Sequence, residues 1–118
     1  MGRITSFKEE FTFDERLKES SEIISKYPDR VPVIAERFSS SDHPQMENKK
    51  YLVPRDMSVG QFIHILSGRL RLDPGKALFV FVNETLPQTA SLMTSVYESS
   101  KDKDGFLYMC YSTEKTFG

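Results

Sequence analysis

Apolar positions recur at helical spacing in two stretches, each opened by the same kind of four-residue signature. Thr12-Phe13-Asp14-Glu15 is a capping box, in which Thr12 accepts from the amide three residues on and Glu15 reaches back. Behind it Phe13, Leu17 and Ile24, with Ile23 beside them, predict a helix that stops at Tyr27-Pro28. Ser58-Val59-Gly60-Gln61 is a second box. Val59, Phe62, Ile63, Leu66 and Leu70 follow it on one helical face, with Gly68 near the expected end. A shorter helix is predicted over Leu92–Glu98, and one or two helical turns over Ile4–Glu10. β-Branched and aromatic runs predict strands at Val31–Glu36, Tyr51–Val53, Ala77–Val82 and Phe106–Tyr111. Asp73-Pro74-Gly75 and Lys103-Asp104-Gly105 read as turns, and Ser39–Asn48 as a surface loop joining two strands.

Helix, helix, strand, strand, helix, strand, short helix, strand is the order of a β-grasp sheet preceded by two helices, an α+β class. The expected organisation is an N-terminal helical extension over 1–27, packed on a core domain over 28–118. Thr113–Gly118 has no apolar periodicity and is expected to be an extended, flexible tail.

Composition narrows the function classes. A chain of 118 residues can bury about two-thirds of its unfolded surface and needs no staple to fold. Aromatic content of 12% with a net charge of −1 excludes a disordered charged tail. Lys/Arg and Asp/Glu balance in both halves of the chain, so no basic excess points to nucleic acid. The one cysteine, Cys110, cannot form an internal disulfide, which fits a reducing compartment. Together with His43 and His64 it is too sparse a set for structural zinc, and neither metal nor cofactor is expected. The longest apolar run, Ala77–Val82, is far short of the ~20 residues that span a membrane. Glu9 and Glu10 interrupt any signal-peptide core, so a cytoplasmic chain is expected.

Enzyme chemistry finds little support. Gly75-Lys76 superficially resembles a phosphate loop, but Ala77 stands where the magnesium-binding hydroxyl belongs. Cys110 and His64 could be a nucleophile and base, but a lone cysteine in an apolar strand is usually a buried small hydrophobe. No catalytic residue is assigned. Met1-Gly2-Arg3-Ile4-Thr5-Ser6 fits an acylation pattern loose enough to arise by chance, and is read as an ordinary terminus.

From Lys26 through Tyr27-Pro28-Asp29-Arg30-Val31-Pro32-Val33-Ile34 the chain resembles the autophagy ubiquitin-like modifiers, the GABARAP-like family. Lys49-Lys50-Tyr51-Leu52-Val53-Pro54, Val59-Gly60-Gln61-Phe62, Ala77–Asn83, Gly105-Phe106-Leu107-Tyr108 and the closing Thr116-Phe117-Gly118 extend the resemblance over nearly the whole chain. It implies a ubiquitin-like core joined through C-terminal Gly118 to phosphatidylethanolamine. It also implies recruitment of cargo receptors and autophagy machinery through short aromatic-x-x-aliphatic motifs. Activating-type and conjugating-type enzymes and a deconjugating cysteine protease are implied partners. The implied location is the cytoplasm, then autophagosomal membranes, then the vacuole or lysosome on delivery.

By the same resemblance the aromatic pocket maps to Glu19, Ile23, Pro32, Lys50, Leu52 and Phe106, and the aliphatic pocket to Tyr51, Val53, Pro54, Met57, Phe62 and Ile65. Arg30 and Arg69 supply flanking positive charge. Lys49–Val53 is then an open edge strand whose alternating side chains serve both pockets. Apart from the resemblance, Ile23, Leu52, Phe62 and Phe106 would be ordinary core, and Lys49-Lys50 a solvated edge. Two departures stand out: Met57 occupies a position where leucine is common in the family, and the first helices are acidic or mixed rather than basic. The alternative reading is an unconjugated ubiquitin-like peptide-binding adaptor.

Overall fold

The computed structural model describes residues 6–38, 49–73 and 75–113. The Ser39–Asn48 loop, Pro74, Gly2, His43 and Gly118 lie outside these residues, as does the tail beyond Thr113. Among the described residues, three of the four helices open on a reciprocal capping box. In α1 (Phe7–Glu10) the partners are Ser6 and Glu9, in α2 (Phe13–Lys26) Thr12 and Glu15, and in α3 (Val59–Leu70) Ser58 and Gln61. Each box satisfies amides that the first turn leaves without helical partners. Helix α4 (Met93–Ser100) has no side-chain cap.

Strands β1 (Arg30–Arg37), β2 (Lys50–Pro54), β3 (Phe79–Phe81) and β4 (Leu107–Ser112) form one sheet in the order β2-β1-β4-β3. The central β1–β4 pair is parallel and both outer pairs are antiparallel. This is the β-grasp arrangement expected from the element order, with the first and last strands side by side at the centre. On one face α3 buries Val59, Phe62 and Leu66 against Val33, Tyr51 and Met109, and α4 adds Met93 and Tyr97. Helices α1 and α2 lie on the other face, over Ile34, Phe106 and Tyr108.

Two details depart from the sequence-based expectation. Phe13 and Leu17 remain 43% and 39% exposed, although their spacing marked them as the inner face of α2. Arg16 and Ser20 face inward instead, because the turn before β4 buries Asp104 completely. Arg16 Nη1 reaches the Asp104 carboxylate at 2.8 Å, and Ser20 Oγ donates to the Asp104 carbonyl. A buried carboxylate and carbonyl must find donors, and this need overrides apolar periodicity. Strand β3 is three residues long rather than six, because pairing with β4 ends at Phe79↔Ser112. Beyond Phe81 the chain doubles back through Asn83 and Glu84, both left-handed. Helix α3 ends at Leu70, just past Gly68 as expected, and a left-handed Arg71 follows.

Candidate functional site

Among the described residues, strand β2 is an edge of the sheet, with β1 as its sole strand neighbour. Ala35 N–H donates to the Lys49 carbonyl at 2.8 Å, which sets the phase of the antiparallel ladder. Residues 49, 51 and 53 therefore turn their backbone groups to β1, and those of Lys50 and Leu52 point away from the sheet. The side chains alternate as well. Tyr51 and Val53 are buried, whereas Lys50, Leu52 and Pro54 are half-buried. One strand thus presents different chemistry to each face.

The six residues mapped to an aromatic pocket converge on the face covered by α1 and α2. Pro32 stands directly opposite Leu52, and Ile34 opposite Lys50. Glu19 projects from α2 to form an ion pair with Lys50 Nζ. Ile23 packs with Phe7, Ile34 and Phe106. Phe106 is wholly buried, so it is floor rather than rim. Its cover is Phe7, whose ring meets it edge-on at 5.2 Å. The Phe7 amide donates to Glu36 Oε2 at 2.7 Å, and Lys8 bonds Asp102 at 2.8 Å and lies over the Tyr108 ring. Burial opposes the Asp102 charge, but the Lys8 bond and the Asp104 amide outweigh it and hold that carboxyl below its ordinary pKa.

The residues mapped to an aliphatic pocket gather between β2 and α3. Tyr51 packs edge-on against Phe62 at 5.6 Å, and the Arg69 guanidinium lies 5.5 Å over the Tyr51 ring. Burial raises the Tyr51 phenol pKa, partly offset by Arg69. Val53 and Phe62 belong to the core, Met57 and Pro54 are half-buried, and Ile65 is 38% exposed. Val53 and Phe62 are thus the buried members of this set, and Met57 and Ile65 its accessible ones. Arg30 lies at the same edge, its Nη1 donating to the Leu52 carbonyl at 3.3 Å.

Phe7, Ile34 and Tyr108 belong to the aromatic face, although no motif in the sequence marks them as site residues. Ser6-Phe7-Lys8-Glu9 is itself a capping box, and it is the signal that locates α1 and the inward Phe7. Strand alternation in Val31–Glu36 places Ile34 on the face opposite Val33.

Cys110 and His64 are not brought together. Leu107, Met109 and Tyr111 face α3, so Cys110 points to the other side of the sheet, whereas His64 is exposed on α3. Burial, with Glu36 nearby, pushes the Cys110 thiol pKa up, the reverse of an activated nucleophile.

A family model described as "Autophagy protein Atg8 ubiquitin like" matches residues 15–118. Autophagy-related protein 8i of Arabidopsis thaliana is 74% identical over 113 residues, which cover 96% of this chain and 98% of that protein. The crystal structure of Trypanosoma brucei ATG8 matches with a TM-score of 0.89 at 40% identity, covering 98% of this chain and 100% of that one. Plasmodium falciparum Atg8, solved in complex with a Plasmodium falciparum Atg3 peptide, also gives 0.89, at 41% identity over 97% of this chain and 100% of its own.

Proposed function

The chain belongs to the Atg8 family of ubiquitin-like autophagy proteins, and on that premise we propose that it is a lipid-conjugated modifier that recruits partners by adding their peptide strands to β2. The observation that carries the peptide half is the outward backbone of Lys50 and Leu52 on an edge strand whose alternate side chains present different chemistry to each face. An extended peptide satisfies those backbone groups, its aromatic residue enters beside Lys50 and Leu52, and its aliphatic residue enters beside Met57 and Ile65. Aromatic before aliphatic fixes the direction: the peptide runs parallel to β2. The relative solved with an Atg3 peptide supports a peptide-binding role and a partner in the conjugation pathway.

An aromatic anchor burying about 200 Å² gains roughly 5 kcal/mol gross, and ordering a disordered peptide costs about 2–5 kcal/mol. The balance favours modest, reversible binding. Arg30, Lys50 and Arg69 draw in acidic residues flanking the motif. Cargo receptors and autophagy machinery bearing such motifs are the proposed partners.

The conjugation half uses the Gly118 carboxylate. Its attack on the α-phosphate of ATP forms an acyl adenylate and releases pyrophosphate, an activating-enzyme thiol displaces AMP, and the acyl group passes to a conjugating-enzyme thiol. The phosphatidylethanolamine amine then displaces that thiol to form an amide. Glycine lacks a Cβ and leaves the carbonyl open to each nucleophile. No helix among the described residues is long and apolar enough to cross a membrane. Two acyl chains gained with the lipid supply stable attachment to autophagosomal membranes. A cysteine protease that cleaves the amide would return the protein to the cytoplasm.

The test is reconstitution with activating and conjugating enzymes, ATP and phosphatidylethanolamine liposomes. A lipidated band should form with the wild type and be lost in Gly118→Ala, which should still bind a Trp-x-x-Leu peptide. A lipidated band from Gly118→Ala would overturn the conjugation half.

A further inference from the structure

Against Met57 and Ile65 lies a shallow groove of about 600 Å³, lined also by Gly60, Gln61, His64 and Ala90 among others. Met57 and Ile65 also belong to the set mapped to the aliphatic pocket, so the groove adjoins the proposed peptide track. Its walls are held by backbone bonds. Gly60 N–H donates to the Thr89 carbonyl at 3.0 Å and Val59 N–H to the Ser91 carbonyl at 2.8 Å.

The groove sits at a helix N-terminus, yet the chemistry there does not suit an anion. The amides of Val59 and Gly60 are spent on Ser91 and Thr89, that of Gln61 on Ser58 Oγ, and that of Phe62 on the Ser58 carbonyl. The Gln61 side-chain oxygen accepts from the Ser58 amide. No amide of the first turn remains to receive a phosphate or carboxylate. An apolar side chain fits better.

We propose that this groove is a third subsite, taking an apolar side chain on the second residue after the aliphatic anchor of the same peptide. The proposal rests on the strand-addition reading above. In an extended peptide the anchor and the second residue after it share a face and lie about 6.6 Å apart. The step from Ile65 back to Gln61 is four residues of α3, about 6 Å along its axis. The two spacings agree, so a peptide seated at Ile65 carries its next same-side residue over Gln61, His64 and Ala90. The subsite therefore separates motifs by the side chain two places beyond the aliphatic anchor.

The experiment is calorimetric titration with two peptides that share an aromatic-x-x-aliphatic core and differ at the second residue beyond it, Leu in one and Ser in the other. Removing about 60 Å² of apolar surface from water predicts roughly tenfold tighter binding of the Leu peptide. Ala90→Glu and His64→Glu, both at exposed positions, should erase that gain and leave the Ser peptide unchanged. Equal affinity of the two peptides for the wild type, or a gain that survives both substitutions, overturns the subsite and leaves strand addition standing. Failure of both peptides to bind the wild type overturns strand addition, and the subsite with it.

Discussion

The Arg30 guanidinium donates to the carbonyl of Leu52, the outward-facing acceptor in the middle of the edge strand. A cation thus occupies the group that an incoming strand must use. Both residues sit at the exposed edge, so the bond is worth only about 0.2–1 kcal/mol and yields readily. Arg30→Ser should weaken peptides with acidic flanks by less than about tenfold, with the loss shrinking as salt rises. Peptides with neutral flanks should be unaffected or bind slightly tighter. Calorimetry at two ionic strengths checks this, and equal loss for both peptide classes would count against a charge role.

Tyr51 and Leu52 are adjacent but answer different questions. Tyr51 is buried against Phe62, so Tyr51→Ala should cost about 3–5 kcal/mol of stability in chemical denaturation. Leu52 is half-buried on the other face and is the selective probe. Leu52→Ala should cost about 1–2 kcal/mol and abolish measurable binding of a Trp-x-x-Leu peptide. Full peptide affinity in a folded Leu52→Ala protein would remove that residue from the site.

Gly105 has φ +89°, and a Cβ there would collide with the Ser20 hydroxyl. That hydroxyl is already committed to the Asp104 carbonyl. Gly105→Ala should therefore destabilise by about 2–4 kcal/mol, combining left-handed strain with displacement of a buried hydrogen bond. Thermal unfolding measures it. A change under about 0.5 kcal/mol would mean that the turn relaxes freely.

Asp102 titrates below its ordinary value because of Lys8 and the Asp104 amide. A depressed folded pKa contributes stability that is fully present above the unfolded value of 3.8 and lost as pH falls through the folded value. Lys8→Ala should lower stability slightly at pH 6, by less than about 1 kcal/mol for so exposed a pair. The gap between variant and wild type should close below pH 3.8. A gap independent of pH would show that Lys8 acts through its contact with the Tyr108 ring.

Cys110 should react with iodoacetamide at pH 8 more slowly than free cysteine, with the rate still rising above the ordinary thiol pKa. Glu36→Gln retains an acceptor for the Phe7 amide yet removes the charge that opposes the thiolate, so it should speed the reaction modestly. A fast, pH-insensitive thiol would contradict this placement.

The helices were legible where a local signal and burial agreed. Thr12–Glu15 and Ser58–Gln61 located two helix starts, and the apolar positions of α3 line the core as spaced. Phe13 and Leu17 misled because Asp104, 84 residues from Ser20 in sequence, imposes its own demand on α2. No window of sequence contains that demand. The strand centres were readable from β-branched and aromatic runs, but the short length of β3 depends on where β4 stops pairing. At the candidate site, the burial of Tyr51 and Val53 against half-buried Leu52 followed from alternation. The cover that Phe7 places on Phe106 did not, because it needs a contact between the two ends of the chain.

The central position of β4 bears on how the molecule carries mechanical load. Tension entering through the residues beyond Thr113 pulls β4 along its own axis. That strand is hydrogen-bonded to β1 on one side and to β3 on the other. The bonds lie across the pull, so they resist together in shear instead of opening one at a time as a peeled hairpin does. A load applied at β2 reaches the C-terminal residues through β1 and β4, strand to strand, without passing through a loop.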